Sequence, residues 1–268
     1  MLASRIKVAI ILIPIAVLFI FAGGLFYLGL ITCMLAVAAW EYSDLFSKGG
    51  YAPARWVLIP GVIFISISRY FWEFQYSDGI LAGLILAAMV YHVVRQKEGC
   101  QTSAVDFTIT IGGLMYIGWL GSYLVSLRFI EDGMWWILLA MSAISIGDAG
   151  AYFVGRTFGR HKLAPHVSPN KTVEGYIGGV ISTILGGVLL AFLWGLRTPS
   201  IRLEHGLVLG IVLGILSPIG DLGESMLKRQ FGVKDSGRIF AAHGGMLDRM
   251  DTWIWGAVIS FYLIIGLW

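Results

Sequence analysis

The stretch KRQFGVKDSGRIFAAHGGMLDRMD, residues 228–251, lies between two strongly apolar segments. It holds five cationic side chains, three carboxylates, a His and a Gly pair, all costly beside a bilayer. Working outward, the apolar segment before it brings Asp221 and Glu224 to the same edge. Carboxylates suited to a divalent metal, next to Lys and Arg suited to phosphate, point to phosphoryl or nucleotidyl transfer at a membrane surface.

The rest of the chain supplies the membrane. Of 268 residues, 57% are hydrophobic and only 13% charged, where a soluble domain carries about a quarter charged residues. The composition implies an all-α polytopic integral membrane protein, since runs of about 20 apolar residues match a ~30 Å hydrocarbon core. About nine membrane helices are expected, near 8–22, 25–40, 56–68, 79–94, 106–127, 133–155, 174–196, 204–222 and 250–268. The third is short enough to be re-entrant. The short alternating stretches of a membrane barrel are absent, and no internal repeat suggests an inverted-repeat transporter. Residues 1–105 read as a helical scaffold, and 106–268 as helices carrying the polar loops. Arg5 and Lys7 before an apolar run imitate a secretory signal. Because Gly23 and Gly24 lead straight into another apolar run, we read a retained first helix hairpinned with the second. Cys33 and Cys100 have no metal-ligand spacing and read as ordinary small residues.

Orientation follows from Lys and Arg. With a cytoplasmic N-terminus, the outside loops hold only Arg69, Arg128, Arg197 and Arg202, and the other fifteen cations fall inside. The expected arrangement is a multi-pass protein of the inner (cytoplasmic) membrane, its C-terminus outside and its polar loops open to cytosolic nucleotide. Trp40, Trp56, Trp72, Trp135 and Trp136 fit interfacial belts. The pairs Gly112–Gly113, Gly178–Gly179 and Gly186–Gly187 suit close helix packing.

Two polar clusters carry the chemistry. In the first, Asp148 lies seven residues before Gly155, roughly 10 Å inside the membrane. It must face protein, water or a cation, as a functional carboxylate or as a bridge through Ser145 or Tyr152. Arg156, Arg160 and Lys162 suit anionic headgroups. Ser168, Pro169, Asn170, Lys171 and Thr172 precede a helix start, a ready anion site. There Lys171 is the phosphate candidate, and Ser168 or Asn170 could equally be caps.

In the second cluster, Asp221, Ser225 and Lys228 share a helical face, with Arg229 beside them and a Glu224–Lys228 pair as the plain alternative. The loop adds Lys234, Asp235 and Arg238, then His243-Gly244-Gly245, whose backbone could approach phosphate closely. Asp248, Arg249 and Asp251 lead into the last helix. Mg²⁺ keeps several waters and takes a few carboxylate oxygens, so Asp221 and Asp248, one from each neighbouring helix, would form a clamp. A zinc reading of His243 fails for want of a second His or Cys at usable spacing.

The residues Ser225, Lys228, Arg229, Lys234, Asp235, His243, Gly244, Gly245, Asp248, Arg249 and Asp251 form S-x-x-K-R, K-D and H-G-G-x-x-D-R-x-D. This closely resembles the signature of the CDP-diacylglycerol synthases, or phosphatidate cytidylyltransferases. The upstream D-x-G-A-Y-F-x-G-R-x-F-G-R and S-P-N-K-T-x-E-G are similar to the family as well, so the resemblance covers about the C-terminal half. Ala241-Ala242 departs from the family's Pro-Gly. The resemblance implies that CTP and phosphatidate give CDP-diacylglycerol and pyrophosphate with Mg²⁺, and that Asp221 and Asp248 sit at the metal centre. It leaves open one metal or two, and monomer or homodimer. The expected mechanism is in-line attack of the lipid phosphate on the α-phosphorus of CTP. Lys171, Lys228, Arg229 and Lys234 would hold phosphates, with Arg249 behind them. Asp251 joins the catalytic set, and Ser225, Asp235, His243, Gly244, Gly245 and Asp148 the substrate-binding set. No role with nucleic acid is implied. A CTP-dependent lipid-alcohol kinase would release CDP instead, and a transporter using Asp148 and Asp221 would show flux without nucleotide turnover.

Overall fold

In lipid every backbone polar group needs an internal partner, so apolar runs fold as helices. A computed structural model describes residues 14–237 and 244–268. It is helical almost throughout, with one two-stranded sheet among the described residues. Seven helices are long and apolar enough to cross a membrane. The expectation of about nine rests further on two segments. One is the shorter helix Arg55–Trp72. The other is the first segment, of which residues 14–22 are helical and the start lies outside the described residues. Gly23 and Gly24 break that segment from the next helix at φ 61° and 51°.

The chain divides into two units. One comprises the residues up to Ser126 with Gln230–Met250; the other comprises Leu127–Arg229 with Asp251–Trp268. In the first, α1 (Gly24–Lys48), α2 (Arg55–Trp72), α3 (Ser77–Lys97) and α4 (Ser103–Gly113) lead through a π-helical stretch, Leu114–Leu120, towards α5 (Tyr123–Phe129). Helix α1 packs on α2, α4 and the π-helical stretch. Tyr27 and Tyr42 on α1 donate to the carbonyls of Leu124 and Ile109 at 2.9 and 3.1 Å. Asp106, fully buried, accepts from Ala52 N and Thr102 Oγ1, both at 2.8 Å. Arg69 departs from the expected loop cation. It is fully buried in α2, donates to Ser122 and Ser77, and lies over the rings of Phe74 and Trp119.

The second unit contains α6 (Gly133–Phe158), the antiparallel strands β1 (Lys162–Ala164) and β2 (Ser168–Thr172), α7 (Val173–Gly195), α8 (Leu203–Leu216) and α9 (Pro218–Gln230). Helix α10 (Leu247–Leu267) begins at the end of the first unit and runs into the second. Helix α7 packs tightly between α6 and α8. A Cβ on Gly187 would lie 2.5 Å from Gly206 O, and one on Gly210 would lie 2.8 Å from Ile184 Cα. Only glycine lets these backbones touch, as small-residue membrane seams require.

Three helices run further than their apolar residues alone indicate. Helix α1 continues from Trp40 to Lys48, α9 to Gln230, and α10 starts at Leu247. Each extension is polar and sits at a membrane edge, where hydropathy ends before the hydrogen-bond ladder does.

Candidate active site

In the second unit Lys171 stands on β2, two residues before α7. Thr172, the N-cap, accepts from Gly175 N at 3.1 Å; Thr172, and not Ser168 or Asn170, therefore caps this helix. The strand pairing was not legible as such, because Pro165 and Pro169 within a short polar run read as loop. Lys171 Nζ lies 2.6 Å from Asp221 Oδ2 in the first turn of α9. Ser225, one turn on, donates to Asp221 Oδ1 at 3.3 Å. Lys228 and Glu224 form a buried pair at 2.8 Å. Arg229 Nε donates to Val167 O in the hairpin at 3.2 Å.

Asp251 is buried on α10, its Oδ1 accepting from Thr252 N at 2.7 Å. Asp221, Asp148 and Lys228 are the charged groups near it. Asp148 thus belongs with this acidic group. Ser145 Oγ donates to Met141 O at 2.8 Å, and Tyr152 Oη accepts from Arg156 at 3.0 Å. Arg160 and His161 present backbone N–H groups to Glu174.

In the first unit the polar loop is fastened to α1. Phe231 stacks edge-on against Phe46, with ring centroids 5.0 Å apart. Asp248 Oδ2 accepts from Ser236 N at 2.9 Å, Ser236 Oγ at 2.9 Å and Gly245 N at 2.7 Å. Glu41, 4% exposed on α1, accepts through Oε2 from Ser236 Oγ at 3.0 Å and Leu247 N at 2.9 Å. Gly244 has φ +79°, and a Cβ there would meet Asp248. A Cβ on Gly245 would collide with Glu41 and Ser236. The space these two glycines open is filled by Asp248 and Glu41. Lys234, Asp235 and Arg249 are exposed. His243, Arg238 and the Ala241-Ala242 pair lie outside the described residues.

The sequence profile of the cytidylyltransferase family matches residues 3–267. The chain belongs to the cytidylyltransferase family. Among relatives of this cytidylyltransferase, a protein of Synechocystis sp. is 32% identical, covering 98% of this chain and 97% of its own length. One of Brucella suis is 35% identical over 97% and 92%, and one of Bacillus subtilis 34% identical over 78% and 79%. All three are named phosphatidate cytidylyltransferase.

The cytidylyltransferase site can be tested for a metal. Among the described residues no three His, Cys, Asp or Glu side chains converge as a metal cage. Mg²⁺ does not require one, because it takes one or two carboxylates and completes its shell with water and phosphate. The carboxylates of Asp221 and Asp251 are hard oxygen donors of the kind that fits. Glu41 is the residue of this cytidylyltransferase that the sequence reading missed. The signal was present: an acid directly after an apolar run, followed by helix-compatible residues up to Lys48.

Proposed function

We propose that the chain joins CTP to phosphatidate, forming CDP-diacylglycerol and pyrophosphate at the cytoplasmic edge of a multi-pass membrane protein. The shared name of its relatives supports this reading. The observation that carries it is the ion pair of Lys171 with Asp221, a phosphate-binding cation held against a metal-type ligand. An oxygen of the ionised lipid phosphate attacks the α-phosphorus of CTP. As that P–O bond forms, the bond from the α-phosphorus to the bridging oxygen breaks, and pyrophosphate leaves with its electron pair. The nucleophile is already an anion, so no general base is required. Lys171, Arg229 and Lys234 hold phosphates, with Lys228 and Arg249 adding positive potential. Catalysis is then mainly positioning and charge stabilisation. Asp221 and Asp248 would hold Mg²⁺, with Asp251 adding negative potential nearby. Bound there, Mg²⁺ would supply neutralisation of phosphate charge.

Purified full-length protein in detergent tests the reading. Pyrophosphate should appear from CTP only when phosphatidate and Mg²⁺ are both present, and chelation should stop it. Release of CDP with a phosphorylated lipid alcohol, or no pyrophosphate at all, would refute it.

A further inference from the structure

Helix α10 takes the acceptor for its first N–H from another helix. Met246, the residue before it, has no oxygen acceptor in its side chain, yet the first N–H, that of Leu247, is buried and satisfied. The acceptor is Glu41, 206 residues away in sequence on α1. A carboxylate at a helix N-terminus is favourable electrostatically, but a polar cap does not by itself need a buried charge. Only Oε2 serves the cap; Oε1 is buried and has no hydrogen-bond partner among the described residues. Oε2 also has a second donor, Ser236 Oγ, besides the N–H it caps, so a role beyond capping is indicated.

Ser236 shows what that role is. Its N–H already serves Asp248 Oδ2, which frees the single hydroxyl proton to be shared between Asp248 and Glu41. Glu41 therefore grips both ends of the loop: Ser236 before the 238–243 segment and Leu247 after it. Between them the grip fixes the carboxylate of Asp248. The flanking glycines fit the same purpose. A Cβ on Gly237 would collide with Glu41 Oε1 and one on Gly245 with Oε2, so both loop ends are shaped to let this side chain in.

We propose that Glu41 is a positioning residue, acting through Ser236 to hold Asp248 in its working geometry. The inference rests on the reaction proposed above for its kinetic readout, but not for its structural one.

The experiment uses full-length protein in detergent and a double-mutant cycle. Glu41→Ala should lower kcat on the order of 10²-fold, as displaced catalytic groups do. Glu41→Gln, which keeps an acceptor oxygen, should recover most of the loss. The pair Glu41→Ala and Ser236→Ala should be no worse than the stronger single change. Should Glu41→Ala fail to fold, Gly237→Ala displaces the carboxylate without deleting it and should lower kcat in folded protein. A separate readout needs no turnover. In protein lacking Cys33 and Cys100, a thiol at Ser236→Cys should resist labelling, and Glu41→Gln should expose it less than Glu41→Ala does. Glu41→Ala within about threefold of the parent kcat, losses that multiply, parental kcat in Gly237→Ala, or labelling indifferent to Glu41 would each overturn the proposal. A parent that releases no pyrophosphate, yet shows the labelling difference, would refute the reaction and leave the placement of Glu41 standing.

Discussion

Lys171 Nζ and Asp221 Oδ2 lie 2.6 Å apart, joining the strand before α7 to the first turn of α9. Both side chains are partly exposed, at 26% and 37%, so the pair contributes only about 0–1 kcal/mol to stability. An ion pair of so little structural worth can open to ligands at small cost. Asp221→Asn should therefore leave the thermal midpoint nearly unchanged while lowering pyrophosphate release on the order of 10²–10³-fold. Melting and turnover measured on the same preparation check this, and parallel losses would make the pair structural.

For Asp248 the two obvious substitutions should part company. Asn keeps an acceptor for Ser236 and Gly245, so Asp248→Asn should stay folded with its loop in place and lose turnover. Ala strands those donors, at about 1–3 kcal/mol for a buried unsatisfied group. Asp248→Ala should therefore lose stability as well. Near-normal activity of Asp248→Asn at saturating Mg²⁺ would remove it from the metal assignment.

Lys234 is exposed, which suits a group waiting for a ligand and also one facing headgroups. As a phosphate contact, Lys234→Ala should cost activity heavily and Lys234→Arg partly, since a planar fork replaces a point charge. Membrane insertion should be unaffected in both. Lys234→Ala within about threefold of parent activity, ~0.7 kcal/mol, would return the residue to the background of inside cations.

Sidedness is testable at Gln230, exposed at the end of α9; Ser236 is unsuitable because it is buried. In protein lacking Cys33 and Cys100, Gln230→Cys should react with an impermeant thiol reagent only from the cytoplasmic face. Labelling of intact cells would reverse the orientation.

The apolar segments were legible because roughly 20 residues of hydrocarbon have few other uses. So were the polar clusters, because charge at a membrane edge stands out against Leu and Gly. Glu41 was not, for a local reason. Hydropathy ends α1 at Trp40, whereas the helix ends at Lys48, so the acid was left in an imagined loop. Pairing was equally hidden. Glu224 and Lys228 are four apart and could be matched in advance, but Lys171 with Asp221, or Glu41 with Leu247, depends on tertiary contact that periodicity does not encode.

The glycine seam between α7 and α8 bears on how a two-tailed lipid could reach the polar edge. Where Gly187 approaches Gly206, backbone meets backbone with no side chain to swing aside, so no rotamer change opens a slit there. An acyl tail cannot part that seam without tearing helix from helix. If phosphatidate is the substrate, as proposed above, its tails would have to pass another face of the bundle, where side chains can yield.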